Sequence, residues 1–410
     1  MWASKLLRLA RGKVNLNSKF QYYEFFAGVG MARMGLGAGW HCLFANDCDD
    51  LKQRSYLENW AGEHFDQRDV AEVRATDLEG LADMAWASFP CQDLSQAGAK
   101  RGIGEAGGVA ATRSGAVWPF LDIIRGLAEE GRHPTLLALE NVVGLLNANG
   151  SKDFRALCSA LSEIGYRYGA VVADASHFVP QSRPRVFVIG IRREVPVPRS
   201  LTTELPQGPW HPPILVRASA ALPTDIAADW IWWSPGAPPK AREFELEDIV
   251  DLTDDADWNT DEARDRLLGM MSQAQRERLD AVKLASHPVI GSLYLRMRPT
   301  GDRGNVQRCE IAFGDTLGCL RTPKGGASRP RIIVVEGETV RTRLLSVREA
   351  ASLMGLDDDF SLPGTYNESF RLIGDGVVPS VVRFLSNRLL EPLASHGSAY
   401  VSAKSERASA

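Results

Sequence analysis

A chain of 410 residues exceeds one average domain, and its 44% hydrophobic and 24% charged content is that of a globular protein with a sizeable core. No run approaches the ~18 apolar residues of a membrane span, and Lys5, Arg8 and Arg11 make the first residues a basic arm (1–19) rather than a signal peptide. Six cysteines at irregular spacing, with no CxxC pair, point away from a secreted disulfide framework and from a metal site, and toward a reducing cytoplasm. The net charge of −4 does not announce a polyanion partner, but its distribution is uneven. Residues 242–262 hold ten acids and one base, whereas 291–345 hold ten Lys/Arg against five acids. Two solvated faces would explain this, and so would a basic stripe forming a groove for nucleic acid.

In chain order, residues 20–190 alternate β-like runs with helical patterns. The runs are FQYYEFFAG, HCLFAND, MAWASFP, LLALENV, YGAVVADAS and RVFVIGI; SGAVWPFLDIIRGLAEEG and DFRALCSALSEIG have apolar residues at helical spacing. This rhythm predicts an α/β fold with a doubly wound, mostly parallel sheet. After Ile191 the texture turns rich in Pro and Trp, and 291–345 reads as short strands separated by Gly/Arg loops. SVREAASLMGL predicts a helix, SNRLLEPLASHG closes the ordered chain, and the small, polar residues that follow predict a disordered tail.

The first strand ends in FFAGVG, where Gly28 and Gly30 allow a tight turn into a helix and close backbone approach to a ligand. Arg33 replaces the third glycine of the dinucleotide motif, which argues against a phosphate cradle. Asp47, at the end of the next strand, suits a pair of ribose hydroxyls. Asp69, at the end of a third candidate strand, suits an exocyclic amine. Each acid fits equally well as a helix cap. Together they describe a nucleoside pocket without pyrophosphate, the shape of S-adenosyl-L-methionine.

Cys91 follows a fourth strand, at the carboxyl edge where such sheets keep their chemistry. Residues 92–115 are rich in Gly and Ala, and a loop of that length reads as a lid (Gln92–Ser114) over the site. Glu140 ends another strand after four apolar residues, so either a half-buried general acid or a helix cap fits it. Arg183 and Arg185, two apart on an emerging strand, would share one face and could orient a carboxylate or a phosphate. A thiol nucleophile, a buried acid, paired arginines and an adenosyl pocket suit methylation at C5 of cytosine. Thiolate addition at C6 is what makes that carbon nucleophilic.

On FFAGVG, AND, RDV, FPCQ, TRSG, ENV, QSRPR, RLLSVREAASLMGL and LIGDGVVPSVV, in this order, the chain resembles the bacterial and phage DNA (cytosine-5)-methyltransferases from about residue 20 to 392. The resemblance implies that Cys91 attacks, that Glu140 and Arg185 engage the base, and that Phe26, Gly28, Asp47, Asp69, Pro90, Gly374 and Val377 lie at the cofactor. It implies a catalytic domain over 20–194, a smaller β-rich target-recognition domain with its supporting helix over 195–363, a segment over 364–392 returning beside the first strand, and a tail over 393–410. Gln92 and Ser95 are expected at the DNA, and Arg321, Lys324, Gly325, Gly326, Arg329 and Arg331 on the surface that reads it. The expected substrate is double-stranded DNA with a flipped-out cytosine. The expected state is a monomer in the cytoplasm of a bacterium, near the nucleoid, or encoded by a phage; a cognate restriction endonuclease is a compatible partner. Three positions depart from the family pattern: Glu24 stands for Asp, Cys48 for a larger residue beside the adenine, and Asp375 for Asn. An RNA cytosine-5 methyltransferase on the same scaffold and a non-catalytic DNA-binding regulator are the rival readings.

Overall fold

The computed structural model describes residues 18–60, 62, 64–91, 113–242, 244–253, 256–299, 304–320 and 329–409, which divide into two compact units. Most of the basic arm and lid, together with Gln92, Ser95, Arg321, Lys324, Gly325 and Gly326, lie outside the described residues.

The first unit comprises 1–174, 184–238 and 376–410 and is built on a seven-stranded sheet in the order β3-β2-β1-β4-β5-β7-β6. Its strands are β1 (Phe20–Phe25), β2 (Trp40–Asn46), β3 (Phe65–Asp66), β4 (Met84–Ala87), β5 (Leu136–Val142), β6 (Tyr166–Asp174) and β7 (Pro184–Arg192). The strands through β5 are parallel, and β7 runs antiparallel to both neighbours. This is the doubly wound, mostly parallel sheet that the alternation predicts. The near-continuous apolar content of β4 and β5 follows from helices covering both faces of such a sheet. Chain order reverses between β1 and β4, so the crevice at their carboxyl ends is the topological switch point.

Helix α1 (Met31–Leu36) follows β1, and α2 (Asp50–Asn59) follows β2, capped by Asp49, whose carboxylate accepts from the Leu51 and Lys52 N–H groups. Helices α3 (Val117–Glu129) and α4 (Lys152–Ile164) bury apolar stripes, Phe120, Ile123, Ile124 and Leu127 on one and Phe154, Leu157, Leu161 and Ile164 on the other. Gly165 then ends α4 in the left-handed region at φ 97°.

Two boundaries differ from expectation. Residues 195–238, with the short strands β8 (Thr202–Thr203) and β9 (Trp232–Trp233) and helix α5 (Pro213–Ala220), belong to the first unit, so the division falls at Pro239 rather than near Val195. The tryptophans that interrupt the βα rhythm are core residues. Trp233 is fully buried with its Nε1 donating to the Ile189 carbonyl, and Ile231 N–H bonds Tyr168 O at 2.7 Å. Trp230 meets the Tyr168 and Phe154 rings edge-on. The tail differs too: the helix Glu391–Ser409 runs on through 398–409, where polar composition predicts disorder. Leu393 and Ala394 are fully buried, and Gly397 lies so close to Thr135 that a Cβ there would come within 2.5 Å of its Cγ2. The return segment begins at Gly376, not Gly364, and packs on α1. A Cβ at Gly376 would lie 2.0 Å from Met31 Sδ, one at Gly35 would lie 2.4 Å from Val382 Cβ, and Arg383 Nη2 donates to Met34 O at 2.8 Å.

The second unit comprises 175–183 and 239–375, with a four-stranded antiparallel sheet in the order β11-β10-β12-β13. These strands, β10 (Val289–Pro299), β11 (Asn305–Phe313), β12 (Arg331–Glu336) and β13 (Thr339–Leu344), include two that are long, not short. Met271, Leu279, Leu293, Cys309, Ile311, Ile333, Val335 and Val340 form its core, with α6 (Asp261–Gly269) and α7 (Gln273–Val282) alongside. Helix α8 (Val347–Ser352) opens with a capping box between Ser346 and Glu349, and α9 (Tyr366–Asp375) ends the unit. Among the described residues no helix is long and apolar enough to cross a membrane.

Candidate functional site

At the carboxyl edge of β1 the chain turns sharply. Phe26 (φ 56°), Gly28 (φ 58°) and Gly30 (φ 82°) are all left-handed, the first an uncommon conformation for a bulky residue. The two glycines have different reasons. A Cβ at Gly30 would lie 2.1 Å from Trp60 Nε1, which donates to Val29 O at 3.0 Å, so Gly30 is required by packing. A Cβ at Gly28 would meet no atom within 4 Å, so the backbone there faces open space. The Gly28 N–H donates to Asp47 Oδ2 at 3.0 Å, and Asp47 Oδ1 accepts from the Asp49 N–H at 3.1 Å. Asp47 is buried, with Lys52 Nζ at 3.5 Å. A carboxylate has about four lone-pair sites, so these contacts fix its orientation while leaving acceptor capacity. Asp69 stands three residues past the short β3 and caps a single turn, accepting from the Ala71 N–H at 2.9 Å; it is exposed, as is Cys48. For Asp69 the cap is observed; the strand that would end at it is not.

Beneath this turn sits a polar cluster that the sequence reading missed. Arg33 donates to Tyr56 Oη and to His64 Nε2, both at 2.8 Å, and lies over the Trp60 ring at 4.8 Å. Glu24, 1% exposed, accepts from Tyr22 Oη at 3.4 Å. Burial pushes its carboxyl up to about 7 against the opposing charge of Arg33. Burial and the same guanidinium push His64 down to about 4, which keeps Nε2 an acceptor. Arg33 in a glycine's place and Glu24 in an aspartate's place are the signals in the chain that mark this cluster.

Cys91 lies four residues past β4, partly exposed and not in a disulfide. Its segment is tied down at three points. Ser88 N–H bonds Phe25 O at 3.3 Å, Trp86 Nε1 donates to Ser88 Oγ at 2.9 Å, and Asn141 Nδ2 donates to Phe89 O at 2.9 Å. Asn141 was not singled out from sequence, although a buried amide at a strand end needs a partner. Pro90, partly exposed, completes the tethered turn. Glu140 neither caps a helix nor stands half exposed. It is buried, with its Oε1 3.1 Å from Arg185 Nε, because β5 and β7 pair Val142 with Arg185 and Glu140 with Phe187. The ion pair therefore bridges two adjacent strands at the sheet edge that also carries the Cys91 segment.

Arg183, Gly374, Arg329 and Arg331 belong to the second unit. Arg183 is 1% exposed, and its fork donates to Leu320 O at 3.2 Å, Gly374 O at 2.7 Å and Cys319 Sγ at 3.3 Å. Arg183 and Arg185 thus do not act as one pair on a strand face; Arg183 precedes β7 and is held in the second unit. Gly374 lies in α9, whereas Val377 is buried in the first unit next to Gly376. Arg329 donates to Asn367 Oδ1 at 3.0 Å and covers the Tyr366 ring, and Arg331 donates to Arg329 O.

A sequence model of the family described as C-5 cytosine-specific DNA methylase matches residues 20–391. The chain is 30% identical over 207 residues to a DNA-cytosine methyltransferase of Escherichia coli (strain K12), a match covering 43% of each protein. The chain therefore spans less than half the length of this curated relative. It is 24% identical over 389 residues to the Type II methyltransferase M.MspI of Moraxella sp, covering 94% of this chain and 74% of that protein. The Dnmt2 methyltransferase of S. pombe superposes with a TM-score of 0.56 at 16% identity, over 91% of this chain and 99% of that one, which speaks for the fold.

Proposed function

Because the chain belongs to the C-5 cytosine-specific DNA methylase family, we propose that it methylates C5 of a cytosine flipped out of double-stranded DNA. The observation that carries this reading is the Glu140–Arg185 ion pair on the sheet edge that also carries the tethered Cys91 segment. The Cys91 thiolate adds to C6 of the ring, forming the S–C6 bond and placing electron density on C5. Glu140 hydrogen-bonds N3 and holds the proton that this density demands, and Arg185 fixes the carboxylate and faces the base O2. After C5 is alkylated, a base from solvent takes its proton, and the C5–H electron pair breaks the S–C6 bond, releasing the Cys91 thiolate and restoring the aromatic ring. Flipping is required because stacking hides C6; it costs a few kcal/mol.

The residues present fit S-adenosyl-L-methionine: open space at Gly28, an oriented acceptor in Asp47 and an exposed acceptor in Asp69 suit a ligand with ribose hydroxyls and an amine. When bound, it supplies an electrophilic methyl group. Phe26, Pro90 and Val377 are the apolar residues that would enclose it. The test is methyl transfer from tritiated cofactor to duplex DNA, with bisulfite sequencing of host DNA to give the site. Incorporation into RNA but not DNA would move the substrate class, and no incorporation into either would leave the regulator reading.

A further inference from the structure

Strand β12 pairs with β10 only from Val289 to Leu293, so Tyr294–Pro299 pairs with β11 alone. The two strands leave the sheet as a ribbon. Residues directly opposite in an antiparallel pair share a face. One face carries Leu293 with Ile311 and Leu295 with Cys309, continuous with the core beside Met271 and Leu279, and then Met297, which is 57% exposed. The other carries Tyr294 with Glu310, Arg296 with Arg308 and Arg298 with Val306.

This second face is cationic at a cost to the fold. Arg296 and Arg308 stand directly opposite, a like-charge pair that destabilises the ladder. Glu310 answers two of the three arginines, Arg298 at 2.5 Å and Arg296 at 3.6 Å. Arg308 has no ion-pair partner among the described residues. On the same face the chain at Gly318 packs against Tyr294: a Cβ at Gly318 would lie 2.3 Å from Tyr294 Oη.

We propose that the Arg296–Arg298–Arg308 face of this ribbon contacts the phosphates of duplex DNA, supplying sequence-independent affinity. The inference rests on the DNA-methylating reading above. A two-stranded ribbon has the width a major groove admits. Arginines two residues apart, about 6.8 Å along a strand, can engage separate phosphates, and the anions would relieve the Arg296–Arg308 repulsion.

The test uses the full chain, measuring duplex binding by fluorescence anisotropy across a KCl series, with methyl transfer assayed on the same preparations. The double variant Arg296→Gln/Arg308→Gln is expected to bind roughly tenfold more weakly at low salt, with the log–log salt slope shallower by about two. Its thermal midpoint should equal or exceed that of the parent, because the repelling pair is gone, whereas Arg296→Lys/Arg308→Lys should keep the slope. Gln307→Ala, on the opposite face, should change nothing. An unchanged slope in the Gln variant of a parent that methylates DNA overturns the ribbon and leaves the activity standing. A parent that neither binds nor methylates DNA overturns the functional reading, and the ribbon with it. A loss seen with an RNA hairpin but not with duplex DNA overturns DNA as the partner.

Discussion

At the scale of single residues, chemistry and support separate cleanly. Cys91→Ser is expected to abolish methyl transfer while cofactor binding by calorimetry stays within about twofold of the parent; turnover by the Ser variant would remove the nucleophile assignment. Glu140→Gln keeps the shape but not the proton, and a fall in rate of about 10²–10⁴-fold is expected for loss of general-acid assistance. Buried Glu24 and partly buried His64, both beside Arg33, make a prediction about pH. Glu24 is raised from 4.5 to about 7, so its folded-state advantage is complete below pH 4.5 and is lost as pH rises through 7. His64 is lowered from 6.5 to about 4, so its contribution is complete above 6.5 and is lost as pH falls through 4. Between 4.5 and 6.5 the folded state holds the Glu24 proton and the unfolded state the His64 proton, and the two slopes cancel. Across that window Glu24 and His64 together add no slope, and the denaturant midpoint should rise with pH only through His41, His133 and His211, whose imidazoles burial also lowers. Glu24→Gln should rise more steeply up to pH 6.5 and exceed the parent at pH 8 by roughly 3 kcal/mol. A midpoint at pH 8 equal to the parent's would show that Glu24 is not held neutral.

At the scale of elements, the turn after β1 is a pair of glycines with unlike duties. Gly30→Ala drives a methyl into the Trp60 ring and should cost ~1–3 kcal/mol of stability on top of the left-handed penalty. Gly28→Ala meets no atom, so it should cost only the left-handed penalty of about 1–2 kcal/mol, yet weaken cofactor binding more than tenfold. Equal loss of cofactor affinity in both variants, at equal stability, would contradict this division. Asn141→Ala removes the bond that ties the Cys91 segment to β5. We expect kcat to fall with little change in cofactor affinity, since Asn141 acts as a positioning residue through Phe89.

At the scale of the whole molecule, each unit carries its own core. The second is pinned by an ion pair, Arg343 to Glu349 at 2.5 Å, both members almost fully buried, with Glu349 also accepting from the Ser346 and Asp251 N–H groups. Arg343→Met would leave that carboxylate buried without its cation, and a loss of ~3–5 kcal/mol is expected. Because Arg343 and Arg341 both lie against Trp258, the change should appear in tryptophan fluorescence during denaturant unfolding. Unaltered unfolding would show that hydrogen bonds alone hold Glu349.

The alternating βα layout, the apolar stripes of α3 and α4, and the placement of Cys91, Glu140 and Asp47 at strand ends are legible in the chain, because side-chain period and turn chemistry are local properties. Contacts between distant residues set what remained. Trp230 and Trp233 read as a change of domain, yet they are core of the first unit, since aromatic composition does not say which surface a residue covers. The polar tail became a helix because two buried residues and one close-packed glycine outweigh an average over its composition. Arg183 and Arg185, two apart in the chain, were assigned to different units by partners more than a hundred residues from Arg183 and forty-five from Arg185, and no spacing rule encodes contacts at that separation.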